Sequence, residues 1–517
     1  MINEIKEKFV KDKYFYILLS LFIFIGIALR LYVYLQQYSF DMDEVALAIS
    51  ILKKNTYSEL IFTKLLAQTH TPYGFLIFSK LLVSLFGISE MVFRAIPLLS
   101  GIGSIFLFYF FAKKYLSGQS LLLAVFLFSV SPKLIQYSNM FKQYSTDVLF
   151  ALILFVTAEH FLNRDKVKIL IPALVGAVSV YFSLTSVFIL ASIGIYYGFN
   201  FLVKNKKENF FRVLIISFIW LIFFVLNYCL IKKYSSSPEA DAYLMNFWEK
   251  GFMPLPFDLI WTLSALFLAC SNLFVVTNFV NVAIYALLTT IGLIIFIIKE
   301  KEKSLLLFLP VILAMIASVL RLYPFADRLI LFLVPVFIIF VSKTLDIIEI
   351  FNLKPFLKII LSVIFSLLVL AQISLTPETI HFRTNDRMGD IFGFLKENIQ
   401  ENDYIYTRFS EGQVLYYYNN YQYKFSKNIY FGSSYLGADD FNIFIVPLSK
   451  KIQFFKHDIN ELKNKSKKVW FVFYSNILPE EISFFKEYLT GRAKLVKSMV
   501  TPAGEAYLYE FRDTGNK

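Results

Sequence analysis

Long apolar stretches separated by short charged segments run through most of the chain, at 14–35, 92–112, 119–134, 143–162, 168–182, 185–203, 212–231, 278–298, 304–320, 328–345 and 356–375. A helix crosses the hydrocarbon core with about 20 apolar residues, so the pattern predicts a polytopic α-helical membrane protein with about eleven transmembrane helices. The run 257–298 is too long for one helix and short for two spans, and 257–273 is read as a helix lying partly in the outer interface. The first stretch follows Lys6, Lys8, Lys11 and Lys13 and has no small-residue cleavage site behind it. It is expected to stay attached as an anchor.

After Thr376-Pro377 the pattern shortens, with charges, Asn and Gly returning. This divides the chain into a membrane module, 1–376, whose first outer loop is 36–91, and a soluble α/β domain, 377–517. In the second part the reading places helices at 386–399, 412–419 and 479–490 and strands at 404–408, 428–431, 469–475, 494–500 and 506–511, with an unassigned middle. Alternating strands and helices predict a small sandwich with its own core. It carries no Gly-rich phosphate loop, and His457 and the acids stand at no ligand spacing. A lid or acceptor-docking platform is the expected role.

Composition agrees with the pattern: 57% of the 517 residues are hydrophobic, 18% aromatic and only 17% charged, where soluble domains carry about 25% charged residues. Basic residues collect at 6–13, 113–114, 164–168, 204–212, 299–303 and 343–358. By the positive-inside rule these segments are cytoplasmic, which puts the N-terminus inside and the C-terminal domain outside. The net charge of +13 is then chiefly a topology signal, and no basic stripe with interleaved aromatics points to nucleic acid. Cys229 and Cys270 sit in or beside apolar segments and read as packed thiols rather than a disulfide. With four histidines and no zinc spacing, a structural metal site is not expected. The 59 Phe and 32 Tyr suit a groove for a long prenyl chain, and a Phe/Ile-rich membrane composition accounts for them equally.

The chemically rich segment is the first outer loop. Asp41, Asp43 and Glu44 open a stretch read as a helix along the membrane face, 43–52. Acids are ordinary at a helix N-terminus, where they meet free amides and the macrodipole. Their crowding where a solvated loop re-enters an apolar groove also makes a site. Beyond Gln68-Thr69-His70-Thr71, Pro72 opens a second surface helix. His70 alone reads as a structural histidine.

Taken in order along the chain, these features resemble the polyprenyl-phosphate-sugar-dependent glycosyltransferases of the GT-C architecture, the group containing protein O-mannosyltransferases and lipid A aminoarabinose transferases. The matching residues are Asp43-Glu44, His70-Thr71-Pro72-Tyr73, Phe86-Gly87-Ile88-Ser89-Glu90-Met91-Val92-Phe93-Arg94, Ser131-Pro132 with Tyr137-Ser138, Lys142-Gln143-Tyr144-Ser145, and Tyr323-Pro324-Phe325-Ala326-Asp327-Arg328. They lie within residues 1–345. Thr71 stands where a second proline is common, and Lys142 where many relatives carry arginine. The resemblance implies a polyprenyl-phosphate-linked sugar donor and an acceptor of protein, lipid or polysaccharide. It places the reaction at the outer face of a prokaryotic cytoplasmic membrane. It assigns the catalytic base to Asp43, with Glu44 orienting base or acceptor, and carries over Asp41, His70, Pro72, Tyr73, Tyr144 and Tyr323 as substrate contacts.

The chemistry of such a donor is consistent with that assignment. A lipid phosphate is a good leaving group, so one carboxylate to take the acceptor proton and cations to hold the departing phosphate suffice. One base implies inversion, by analogy with glycosidases. Arg94, Lys142 and Arg328 are the cation candidates. Arg94 and Lys142 equally read as snorkelling interfacial residues, and Arg328 as the partner of Asp327. Asp41-x-Asp43 also has the look of a metal site of nucleotide-sugar enzymes, but those sugars are cytoplasmic and this loop is predicted outside, so no cofactor is expected. A transporter or flippase would bury charges such as Asp147, Asp327 and Arg328 among its helices, yet here the polar residues crowd into one loop and the tail. A ligase or polymerase of lipid-linked oligosaccharide would share the chemistry with a larger donor.

Overall fold

The computed structural model describes residues 2–65, 70–162, 166–255, 258–271, 279–350, 354, 356–358, 360, 363, 388–407, 414–424, 426, 428–432, 448–474 and 479–512. Most of the predicted span 356–375, the boundary at Thr376-Pro377, Gln68, Thr69 and the Cys270 side chain lie outside them.

The first helix, α1 (Ile2–Leu35), leads into the outer loop, which folds into α2 (Met42–Leu52), α3 (Tyr57–Phe62) and α4 (Tyr73–Phe86). Next come α5 (Glu90–Ala112), α6 (Gly118–Val130), α7 (Pro132–Tyr137), α8 (Tyr144–Phe161), α9 (Leu170–Phe182), α10 (Ser186–Val203) and α11 (Lys207–Tyr234). The membrane part continues with α12 (Pro238–Phe247), α13 (Leu259–Ser271), α14 (Phe279–Lys299), α15 (Lys301–Val319), a 3-10 turn (Asp327–Leu333), α16 (Val334–Lys343) and α17 (Asp346–Ile350). Among the described residues seven helical segments are long and apolar enough to cross a membrane. The spans expected at 119–134, 168–182 and 278–298 fall on shorter apolar helices, the first because Ser131-Pro132 breaks it into α6 and α7. Cys229 is a free thiol as expected, but it is exposed on α11 and not packed in the core.

The bundle core is apolar and aromatic, with Phe108 stacked on Phe128 at 4.3 Å and Phe111 on Phe155 at 4.8 Å. α14 and α16 approach so closely that a Cβ at Gly292 would collide with the Phe340 carbonyl, which fixes glycine there. Arg30, fully buried in α1, donates to Ser129 O and to Gly26 O, both at 2.9 Å. It thereby supplies a donor to the last turn of α6, whose carbonyls lose helical partners at Pro132. The segments predicted as cytoplasmic meet at one end of the bundle. There Lys343 Nζ reaches Glu300 at 3.0 Å, Asp346 at 2.9 Å and Tyr115 O at 3.2 Å, while Lys204 pairs with Glu302 and Arg212 donates to Val167 O. The acidic loop joins the opposite ends of these helices.

The C-terminal part forms a five-stranded mixed sheet from β1 (Tyr404–Thr407), β2 (Ile429–Phe431), β3 (Lys468–Tyr474), β4 (Ala493–Thr501) and β5 (Gly504–Phe511), in the order β2-β1-β3-β5-β4. β1 runs parallel to β2 and β3, and β5 antiparallel to β3 and β4. The helices α18 (Met388–Asn398), α19 (Leu448–Lys465) and α20 (Pro479–Leu489) cover it, and a π-helix occupies Tyr418–Tyr423. α19 fills the unassigned middle. Its apolar stripe, Ile452, Phe455, Ile459 and Leu462, has helical spacing but is set among lysines and other polar residues, which obscured it.

Alternation along β3 sends Val469, Phe471 and Phe473 into one core with α19 and α20, and Trp470 and Val472 into another. That second core is not confined to the tail. It holds Phe40, Val45, Leu47, Phe75, Phe93 and Phe141 from the membrane part together with Met388, Phe392, Tyr417 and Tyr418. One face of the sheet therefore has its own core, and the other shares one with the outer loop.

Candidate active site

The acidic turn is built by a capping box. Asp41, in extended conformation before α2, accepts the Glu44 amide at 2.6 Å, and the Asp41 amide donates to Glu44 Oε2 at 3.2 Å. Glu44 is buried and also receives Arg94 in a two-pronged pair, Nε to Oε1 at 2.8 Å and Nη2 to Oε2 at 2.7 Å. The Phe141 amide donates to Oε1 at 2.6 Å. Arg94 also donates to Tyr38 O at 2.5 Å and Ser39 O at 3.3 Å and lies 4.9 Å from the Phe40 ring. Glu44 and Arg94 thus lock the loop to α5 and to the α7–α8 junction. Four of the five guanidinium N–H groups of Arg94 are thus engaged within the protein, which favours a structural role over its expected place among the phosphate cations. The Asp41 carboxylate serves the cap through Oδ1, which accepts the Glu44 amide.

Asp43 differs. It sits on the open side of the same turn with its side chain half exposed, and its Oδ2 is 3.7 Å from Arg328 Nη2. Arg328 follows Asp327, whose φ of +38° is in the left-handed region that side chains seldom adopt. Asp327 does not pair with Arg328, as the bare sequence suggests; it meets Lys133 at 3.2 Å. Arg328 instead lies against Trp248 at 5.3 Å and Tyr144 at 5.8 Å, and its Nε has no acceptor. Tyr144 packs edge-on to Tyr137 at 5.1 Å, and Lys133 lies 5.8 Å from that ring. Lys142 is buried, and its ammonium has no hydrogen-bond or ion-pair partner among the described residues. Asp43 of α2, Lys133 of α7, Tyr144 of α8 and Asp327 and Arg328 of the turn after α15 are thereby linked at the end of the bundle.

Other expected contacts lie elsewhere. Tyr323 donates to Leu329 O at 2.8 Å and packs on Phe188, bracing the turn that carries Arg328. Pro72 is the N-cap of α4, and buried Tyr73 donates to Leu230 O at 3.4 Å. His70 meets Asp241 at 3.2 Å, which also holds Lys232 and the Ser236 hydroxyl at 2.7 Å each. Tyr73 therefore ties the loop to the end of α11, and His70 ties it to α12 through Asp241. Burial lowers the His70 pKa, against the pull of Asp241. A histidine whose folded value lies below its unfolded one, about 6.5, leaves stability whole above that value and removes it as pH falls below. Melting temperature in detergent is expected to drop between pH 7 and pH 5, and less so in His70→Gln. An equal drop in both would assign the loss to another group.

Lys133, Tyr137 and Trp248 are parts of the cluster that the sequence reading did not place in the site. Lys133 carried a signal, a cation just after the helix break at Ser131-Pro132. Trp248 carried none, because its segment is brought to Arg328 by tertiary contacts, among them Gly251 against Pro324 and Ala326 and the Phe325 amide on Gly251 O at 2.7 Å. Asp147 lies one turn beyond Tyr144, buried, with Oδ1 unpartnered.

No protein-family model matches the chain, and no curated protein sequence matches it. Solved structures do. ArnT from Cupriavidus metallidurans bound to undecaprenyl phosphate aligns with a TM-score of 0.58 at 11% identity, over 95% of this chain and 97% of that one. The same protein in its apo state aligns at 0.54 and 10%, over 95% and 98%. The oligosaccharyltransferase of Archaeoglobus fulgidus in complex with Zn and sulfate aligns at 0.52 and 15%, over 88% and 67%. Among the described residues no group of three His, Cys, Asp or Glu side chains is placed to hold a metal, and with Asp41 and Glu44 engaged in the cap no metal step is derived. This chain is a multi-pass membrane protein with the fold of the GT-C glycosyltransferases, carrying a C-terminal α/β part.

Proposed function

We propose that the protein is a membrane glycosyltransferase that moves a sugar from a polyprenyl-phosphate donor to an acceptor hydroxyl at the outer face of a prokaryotic cytoplasmic membrane. The observation that carries this reading is the facing of Asp43 and Arg328 across the end of a bundle with this fold. The acceptor oxygen forms the new bond to the anomeric carbon, the bond from that carbon to the phosphate oxygen breaks, and the phosphate leaves with its electron pair. Asp43 takes the acceptor proton. Attack from the side opposite the phosphate gives inversion. Arg328, with Lys142 and Lys133 as further cation candidates, holds the departing phosphate, a charge interaction that strengthens as the bond breaks. The donor phosphate then competes with Asp43 for Arg328, so donor binding frees the base.

The test is transfer from a set of radiolabelled polyprenyl-phosphate sugars by the purified protein, with native membrane extract as acceptor. Incorporation from one donor, absent with heat-inactivated protein, names the sugar. Silence from every donor, with an ArnT control active under the same conditions, removes the support for an enzyme and favours a transporter. Arg328→Ala is expected to reduce transfer about a hundredfold, in the range seen when one charge-stabilising donor is removed from an active site.

A further inference from the structure

The tail is bound to the acidic turn at both ends of α2. The Tyr418 hydroxyl accepts the Phe40 amide at 2.7 Å, and the Ser39 hydroxyl accepts the Gly389 amide at 2.9 Å, both immediately before the cap at Asp41. The Phe40 ring is fully buried and packs against Tyr417 at 5.4 Å, as well as against Phe93 and Phe141. At the other end Lys53, the C-cap of α2, lies 4.8 Å from the Tyr416 ring. Tyr416 and Tyr417 lead directly into the π-helix that begins at Tyr418. A π-helix turns each residue further from its α-helical place, and such segments are often found at functional sites.

We infer that Tyr418 is a positioning residue for the transfer reaction. By holding Phe40 it sets where the turn carrying Asp43 stands relative to Arg328, so the tail acts as a clamp on the base and not only as a lid or acceptor platform. The chain between Phe40 and Asp43 is short and rigid: Phe40 is packed on every side, Asp41 is fixed in the capping box, and α2 starts at Met42. A shift of Phe40 is therefore passed to Asp43 with little damping. Catalysis is sensitive to such shifts, since displacements of about 1 Å can cost about a hundredfold in rate. The inference rests on Asp43 being the base, as proposed above.

The experiment compares the full-length protein with Tyr418→Phe, which deletes the acceptor oxygen and keeps the ring. Two measurements are made: steady-state transfer kinetics, and amide hydrogen exchange over residues 39–52. The expected result is that kcat falls about tenfold at unchanged donor KM, while the Phe40 amide, left buried without an acceptor, exchanges about tenfold faster or more. A purely structural role would lower the folded fraction and leave the kcat of the folded enzyme intact. Faster exchange with wild-type kcat would overturn the positioning role, and unchanged exchange would overturn the clamp itself. If Tyr418→Phe does not fold, Ser39→Ala removes the second tie and leaves every ring in place; the same kcat-specific loss is expected, and wild-type kinetics there would refute the inference. Absence of transfer in the unmodified protein strikes at the proposed function instead, and the exchange data still decide whether the clamp exists.

Discussion

Asp43→Asn is expected to lower transfer by about a thousandfold, within the 10²–10⁴ that a positioned general base contributes, while the protein remains folded and membrane-inserted. The substitution is nearly isosteric and leaves the residues of the capping box and of the Glu44–Arg94 pair unchanged, while Asp43 itself faces Arg328. It gives up the ion pair with Arg328 and, at the start of α2, the favourable meeting of a negative charge with the helix dipole, about 0.5 kcal/mol. The donor phosphate no longer competes with a carboxylate for Arg328, so donor KM is expected to hold or fall while kcat collapses. That combination separates a base from a binding residue. Asp43→Glu keeps the carboxylate and moves it by one methylene, so partial activity is expected. Wild-type rates in Asp43→Asn would remove Asp43 from the chemistry, and a matched rise in KM would recast it as a substrate contact.

The membrane helices were legible because their signal is local: each is an apolar stretch bounded by charge, and the basic segments duly meet at one end of the bundle. The strands of the tail were legible for the same reason, β3 alternating between two cores. What the sequence hid was pairing over distance. Glu44 and Arg94 were candidates for catalysis and phosphate, yet they bind each other across 50 positions. Asp327 and Arg328 are neighbours in sequence, and each turns to a partner far away, Lys133 and Asp43. The acids of one turn look equivalent on paper and are divided by the fold, Asp41 and Glu44 to the helix cap and Asp43 to the open side. Nothing local in Tyr418 announces that it would meet Phe40, since periodicity says which face is apolar and not what covers it.

Breaking the Glu44–Arg94 pair is the second large effect expected. The side chains are 4% and 8% exposed, so Arg94→Met leaves a carboxylate buried without its counter-charge. Removal of one partner from such a pair costs about 3–5 kcal/mol, enough to abolish the folded loop in a protein of ordinary stability. Low yield after size-exclusion chromatography and a lower melting temperature in detergent are the expected readings. The loss should be repaired from the other side. In Glu44→Gln with Arg94→Met no charge remains to be buried, and the amide oxygen of glutamine can still accept the Phe141 amide or close the capping box with Asp41. Recovery of most of the lost stability in the double variant, together with recovered transfer, is expected if the pair is structural, because the base and Arg328 are untouched. Were Arg94 a phosphate ligand, the double variant would fold and stay inactive, with donor KM raised. The double variant thus separates two roles that one arginine at the mouth of a span could fill, and the four contacts its guanidinium makes within the protein favour the first.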